Sequence, residues 1–283
     1  HPAVKESALW LKSQGFDVGI APVDEKGFVD VKALASLIRP DTALVSIMAV
    51  NNEIGSIQPI EAISELLADK PTISFHVDAV QALAKIPTEK YLTDRVDFAT
   101  FSSHKFHGVR GIGFVYIKSG KKITPLLTGG GQEHDYRSTT ENVAGIAATA
   151  KALRLAMEKL DLFTSKTSQM KSVIRQALLD YPDIFVFSDE EDFAPHILTF
   201  GIKGVRGEVI VHAFEDYDIF ISTTSACSSK AGKPAGTLIA MGVDKDKAQS
   251  AVRLSLDLEN DMSQVEQFLT KLKLIYNQTR KVR

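Results

Sequence analysis

Short apolar runs alternate with segments of helical period up to residue 117, and this alternation constrains the fold more than any other feature of the chain. Residues 3–13 read as a helix closed by Gly15, and residues 16–21 as a strand. A turn at 24–27 leads into a helix over 31–38 that Pro40 stops. Residues 43–50 form a nearly continuous apolar run, the pattern of a parallel strand covered on both faces. Pro59 sits at the first position of a helix over 60–68. Residues 72–77, 96–101 and 113–117 read as further strands. Strands and helices in this order predict a doubly wound α/β sheet. Ligands bind such sheets beyond the carboxyl ends of the strands. There the sequence turns polar: Asn51, Asn52 and Glu53 after one run, Asp78 and Gln81 after the next, Ser102, Ser103, His104 and Lys105 after the third.

From about residue 143 the texture changes. Helical patterns run over 143–159 and 165–179, and near 208–214, 245–251 and 263–279, with short strands at 196–201 and 220–222. The expected division is a larger domain over 1–148 and a smaller C-terminal α+β domain over 149–283. A chain of 283 residues supports a substantial core. Its net charge of −2 gives no electrostatic footprint for nucleic acid. No basic segment points to a membrane surface, and no apolar run approaches the ~20 residues of a membrane span. A single cysteine, Cys227, excludes an internal disulfide and fits a reducing compartment such as the cytoplasm. The sequence opens on His1, which is read as something other than a native translation start, and residues 3–12 do not resemble a signal peptide.

Several residues have the right type and place for chemistry. Lys105 follows an apolar strand and precedes a glycine-bearing segment. It is either a solvated surface lysine or a partly buried amine suited to Schiff-base formation. Asp78 is either a helix N-cap for residues 79–84 or a carboxylate that pairs with a heterocyclic nitrogen. A lysine Schiff base with such an acidic partner is how proteins set up pyridoxal phosphate (PLP) as an electron sink. Ser102, Ser103 and His104 offer donors for a phosphate, as do the glycines of 129–131, although neither stretch is a Walker or GxGxxG fingerprint. Cys227 lies in STTSACSSKAGKPAG, a loop-like composition that favours a reactive thiol, against the ordinary role of cysteine as a small buried hydrophobe. Arg253 alternates with apolar neighbours on a strand pattern, as a surface cation or a bidentate clamp on a carboxylate. His76, His104, His107 and His134 with Cys227 match no common zinc spacing, so no metal is expected.

Taken together, VNNEIG, HVDAVQ, FSSHKFHGVRGIG, GGGQEHDYRSTTEN and SACSS…RLSL resemble the cysteine desulfurases, PLP enzymes of aminotransferase class V. The resemblance runs from His1 to about Leu256, in order and spacing, and the longer loop around Cys227 is similar to the NifS/IscS-like branch. It implies a fold-type-I PLP transferase: a mixed, mostly parallel sheet with a smaller C-terminal domain. The N-terminal part of the family fold, with its own phosphate-contacting loop, is not within this sequence.

The resemblance also implies roles. Lys105 would hold PLP and abstract the substrate's Cα proton. Asp78 would pair with the pyridine nitrogen, Gln81 with the phenolic oxygen, and Ser102 and His104 with the phosphate. Thr140 would reach the phosphate in a neighbouring subunit, which implies a homodimer. His1 would stack on the ring, and Asn52 and Arg253 would hold the carboxylate of L-cysteine. Cys227 would take the sulfur as a persulfide, releasing L-alanine, and pass it to an acceptor protein for iron–sulfur cluster assembly or tRNA thiolation. Thr139 stands where the family usually has glycine. The alternatives are another class V lyase or aminotransferase, for which Cys227 is incidental, and an inactive chain.

Overall fold

The computed structural model describes residues 1–224 and 236–281. The first part of the chain forms α1 (Pro2–Ser13), α2 (Val31–Leu37), β1 (Leu44–Met48), α3 (Ile60–Leu66), β2 (Ser74–Asp78), β3 (Phe98–Ser102) and β4 (Gly113–Ile117). There follow α4 (Val143–Met157), α5 (Leu160–Leu179), β5 (Ile184–Val186), β6 (Ile197–Ile202), α6 (Gly207–Glu215) and β7 (Ser222–Thr223). The chain closes with α7 (Gly236–Ala240), α8 (Lys245–Gln249), β8 (Ala251–Ser255) and α9 (Met262–Lys281).

These elements fall into two compact units. One comprises His1–Pro40, Val50–Pro59 and Leu162–Arg283; the other comprises Asp41–Ala49 and Ile60–Asp161. Neither unit is contiguous, and the boundary expected at 148/149 falls inside α4.

The second unit is built on a sheet of order β1-β2-β3-β4, parallel from β1 to β3 and antiparallel between β3 and β4. Successive side chains alternate between faces. Val45, Phe75, Val77, Ala99 and Phe101 are buried, while Ser46, His76, Asp78, Thr100 and Ser102 lie half-buried. The sheet therefore has an apolar face and a polar one. The apolar run at 43–50 is not covered on both faces as expected, because Leu44 is 52% exposed. Asp97, at the foot of β3, receives Arg95 Nη1 at 2.8 Å, Lys121 Nζ at 3.2 Å and the Phe75 N–H at 2.9 Å. That arrangement satisfies a buried carboxylate, which alone is costly.

The first unit carries a wholly antiparallel sheet of order β5-β6-β8-β7. Every residue of β6 is buried. Met170, Ile174 and Leu178 of α5 pack into the same apolar core as Phe214 of α6 and Phe268 and Leu272 of α9. A smaller cluster joins Ile54, Phe193, Leu238, Met241, Ala248 and Ala251.

Two expected elements differ. Residues 16–21 are not a strand; only a bridge between Val23 and Val29 forms beyond them, and Phe16 and Ile20 stay 62% and 74% exposed. β-propensity without a partner edge does not hold a strand. Residues 79–84 are turns rather than a helix, ending on Ala84 at φ 58°. Asp78 Oδ1 accepts the Val80 N–H at 3.1 Å, so this carboxylate closes a local Asx turn instead of capping a helix.

Candidate active site

In the sheet unit, β3 delivers the chain to a single 3-10 turn, Ser103–Phe106, which carries Lys105. The turn is pinned at both ends. Ser103 is fully buried; its N–H donates to the Ile112 carbonyl at 3.1 Å, and its Oγ accepts from Thr149 Oγ1 of α4 at 2.9 Å. Phe106 is buried and packs edge-on against Phe114 of β4. His107 then leaves in the left-handed region at φ 64°. The Gly108 N–H donates to the Ser103 carbonyl at 2.9 Å, and a Cβ on Gly108 would overlap Ser103 Oγ. Lys105, between these anchors, is half-buried. Of the donors proposed for a phosphate, Ser103 is thus committed to the core. Ser102 remains half-buried at the end of β3, and His104 is exposed. Partial desolvation of the His104 ring and the charges of Lys105 and Arg110 lower its pKa below the usual 6.5.

Asp78 ends β2, in register with Met48 of β1 and Thr100 of β3. Gln81 follows in the turn, half-buried. One step below Asp78 on the same face lies His76, with Nδ1 2.7 Å from Ser46 Oγ and Nε2 3.1 Å from Thr100 Oγ1. Burial lowers the His76 pKa, while the Asp78 charge pulls the other way. The imidazole thus bridges three parallel strands beneath the carboxylate. Sequence reading passed over this trio, although the i, i+2 spacing of His76 and Asp78 on a strand places both on one face. Thr140 is exposed in the loop before α4, a loop in which Glu133, His134 and Asp135 all take positive φ. Thr139 takes no positive φ, so a β-branched side chain fits where glycine is usual.

The other unit holds the remaining candidates. The turn at 51–53 is closed by Asn51 Oδ1, which accepts the N–H groups of Glu53 at 2.8 Å and Ile54 at 3.0 Å. Arg253, on β8, donates from Nη1 to the Asn52 carbonyl at 2.8 Å. The pair expected to hold a carboxylate is therefore in direct contact. Burial raises the Glu53 pKa, and hydrogen bonds from Thr237 oppose the shift. His1 caps α1, its Nδ1 accepting the Ala3 N–H at 3.2 Å, and is exposed. Cys227 lies outside the described residues.

Residues 1–268 match the family described as Aminotransferase class-V. The chain belongs to this family. A NifS/IcsS protein homolog of Lactobacillus delbrueckii subsp. bulgaricus is 49% identical over the whole chain and 74% of its own length. A protein of Clostridium botulinum named cysteine desulfurase IscS is 38% identical, again over the whole chain and 71% of its own length. A solved structure described as a NifS-like protein superposes with a TM-score of 0.89 at 37% identity, covering 98% of this chain and 73% of that one. The class V chain described here is thus of the cysteine desulfurase group, with the mixed, parallel-rich sheet of the NifS-like fold. Among its described residues no helix is long and apolar enough to cross a membrane.

Proposed function

We infer that this chain is a cysteine desulfurase that uses PLP to convert L-cysteine to L-alanine, leaving the sulfur on Cys227. One observation carries the assignment of the cofactor site. An amine and a carboxylate, Lys105 and Asp78, are fixed at the carboxyl ends of neighbouring parallel strands β3 and β2, on a chain of class V.

The donor set around them fits PLP. Lys105 offers the amine for a C=N link, and Asp78 the carboxylate for the pyridine nitrogen. Gln81 suits the phenolic oxygen, and Ser102 and His104 suit the phosphate. When bound, the cofactor supplies an electron sink for negative charge at the substrate Cα. The chain's residues do the rest. Asn52 and Arg253 orient the substrate carboxylate, the guanidinium through its planar fork. Lys105 moves the Cα proton as a general base, and His1 covers the ring. The Cys227 thiolate attacks the substrate sulfur. The Cβ–Sγ bond breaks, a sulfur–sulfur bond forms on Cys227, and the released electron pair takes up a proton to complete alanine.

The persulfide then passes to an acceptor protein, a cluster scaffold or a tRNA-thiolation enzyme. Thr140 serves the phosphate of a second copy, so the working form is a homodimer, and a cytoplasmic setting keeps the thiol reduced.

The test is to load the protein with PLP, add L-cysteine, and measure alanine together with the mass of the Cys227 peptide. One added sulfur atom per chain and matching alanine are expected. Cys227→Ala retains the cofactor's visible absorbance and forms no persulfide, whereas Lys105→Ala loses that absorbance. Absence of alanine from the loaded protein overturns the reading. Undiminished turnover by Cys227→Ala redirects it to another class V lyase or aminotransferase.

A further inference from the structure

The turn at 51–53 is joined not only to Arg253 but also to α7, the helix that begins directly after residues 225–235. The Thr237 N–H donates to Glu53 Oε2 at 3.2 Å, and Asn51 Nδ2 donates to Thr237 Oγ1 at 3.2 Å. Beneath these bonds, Leu238 and Met241 of α7 share an apolar cluster with Ile54, and Leu238 and Ile54 are both fully buried. On the other side of 225–235, Ser222 of β7 stands in register with Arg253 of β8, and Thr223 with Val252. Thr199 of β6 pairs with Arg253 from the opposite edge, and its Oγ1 donates to the Glu53 carbonyl at 2.6 Å. The two elements that carry Asn52 and Arg253 are therefore the same two that moor the chain on either side of the stretch bearing Cys227.

We propose that Glu53 is a positioning residue for sulfur transfer: through Thr237 it fixes the C-terminal mooring of the Cys227 stretch to the turn that carries Asn52. The proposal rests on the reading of Cys227 as the sulfur-accepting thiol. Its physical content is register. A thiol that must meet one sulfur atom is aimed by the ends of its own segment, and a displacement of about 1 Å at a reacting pair costs up to ~10²-fold in rate. The bound carboxylate of the substrate is held by Asn52 and Arg253, so loss of the mooring changes the transfer step more than it changes binding.

The experiment compares the PLP-loaded parent with Glu53→Ala, Glu53→Gln and Thr237→Val. Alanine formation gives kcat and KM for L-cysteine, and timed trypsin digestion follows cleavage after Lys230. Glu53→Ala is expected to lower kcat about tenfold or more, with KM within about twofold and cofactor absorbance unchanged. It is also expected to speed cleavage after Lys230 severalfold. Glu53→Gln, which keeps an acceptor for the Thr237 N–H, recovers most of the rate. Thr237→Val, which keeps the backbone bond but loses the hydroxyl, falls between. Should Glu53→Ala fail to fold, the Thr237→Val measurement decides in its place. An unchanged kcat in Glu53→Ala, or in Thr237→Val where that variant decides, overturns the proposal and leaves the desulfurase reading intact. So does a fall shared equally by kcat, KM and cofactor content, or no recovery in Glu53→Gln. Faster cleavage in Glu53→Ala beside a parent that forms no alanine sinks the desulfurase reading and, with it, the transfer role of Glu53.

Discussion

Arg253 reaches the backbone oxygen of Asn52 at 2.8 Å, although the two residues stand 201 positions apart in the chain. One guanidinium nitrogen is thus spent on holding the turn, which fixes the direction in which the rest of the fork points. A lysine at 253 cannot hold the carbonyl and a carboxylate together in one plane. Arg253→Lys is expected to raise KM for L-cysteine about tenfold or more, the worth of a charged hydrogen bond, with a smaller change in kcat. Steady-state kinetics at several cysteine concentrations checks this. An unaltered KM would remove Arg253 from the binding of the carboxylate.

Gly108 allows the close approach that lets Ser103 take its bond from Thr149. In Gly108→Ala the new methyl overlaps Ser103 Oγ, and the turn must open. Overpacking of this kind costs on the order of 2 kcal/mol. The expected outcome is a lower thermal midpoint together with weaker retention of PLP, since Lys105 rides on the same turn. A spectrum of the dialysed protein reads the second effect. A variant that keeps both the stability and the cofactor of the parent would show that the turn tolerates the displacement.

His76 sets a pH dependence whose sign follows from its burial. Its folded pKa lies below the ordinary 6.5, so the unfolded chain binds a proton first as the pH falls. Stability from this group is present above pH 6.5 and is lost below it, with a slope approaching about 1.4 kcal/mol per pH unit for a full proton. Urea unfolding between pH 7 and pH 5 should therefore decline less steeply in His76→Gln than in the parent. Parallel curves would count against the neutral imidazole bridging Ser46 and Thr100.

Lys171 works in the opposite range. Buried among apolar side chains and beside Arg175, it has a pKa lowered from 10.5 to about 8, despite the nearby Glu190 and Asp189. Its ammonium donates to the Ala194 carbonyl at 3.0 Å. Between pH 8 and 10.5 the unfolded chain holds a proton that the folded chain has released, so folding gains stability as the pH rises. Relative to Lys171→Met, the parent should gain on the order of 3 kcal/mol across that window. Denaturation curves at pH 7.5 and pH 10 make the comparison. A constant difference between the two proteins would mean that Lys171 stays charged.

The parts of the site that were legible in the sequence are those set by local order. A polar residue directly after an apolar run is a strand end wherever the strand pairs, so Asp78, Ser102 and Lys105 were within reach of spacing alone. What spacing missed depends on partners far along the chain. The run at 16–21 has strand composition, yet it has no ladder to join. Residues 79–84 have helical composition, yet Asp78 turns its own backbone first. The burial of Ser103 is set by Thr149, and the tie between Glu53 and Thr237 joins residues 184 positions apart. Neither contact leaves a periodic trace.

The interleaving of the two units also sets an order of events on the ribosome. When the turn at 51–53 emerges, Gly27 and Val29 are already available, and Gln58 joins them through Gly27 O and the Val29 N–H, both at 2.9 Å. Its other ties, from Ser188 to Ile54, from Thr199 and Thr237 to Glu53, and from Arg253 to Asn52, involve residues translated long afterwards. The Asn52–Arg253 pair, proposed above to hold the substrate carboxylate, is therefore completed only near the end of synthesis, and a nascent chain stalled before residue 253 would carry the lysine turn without that pairing.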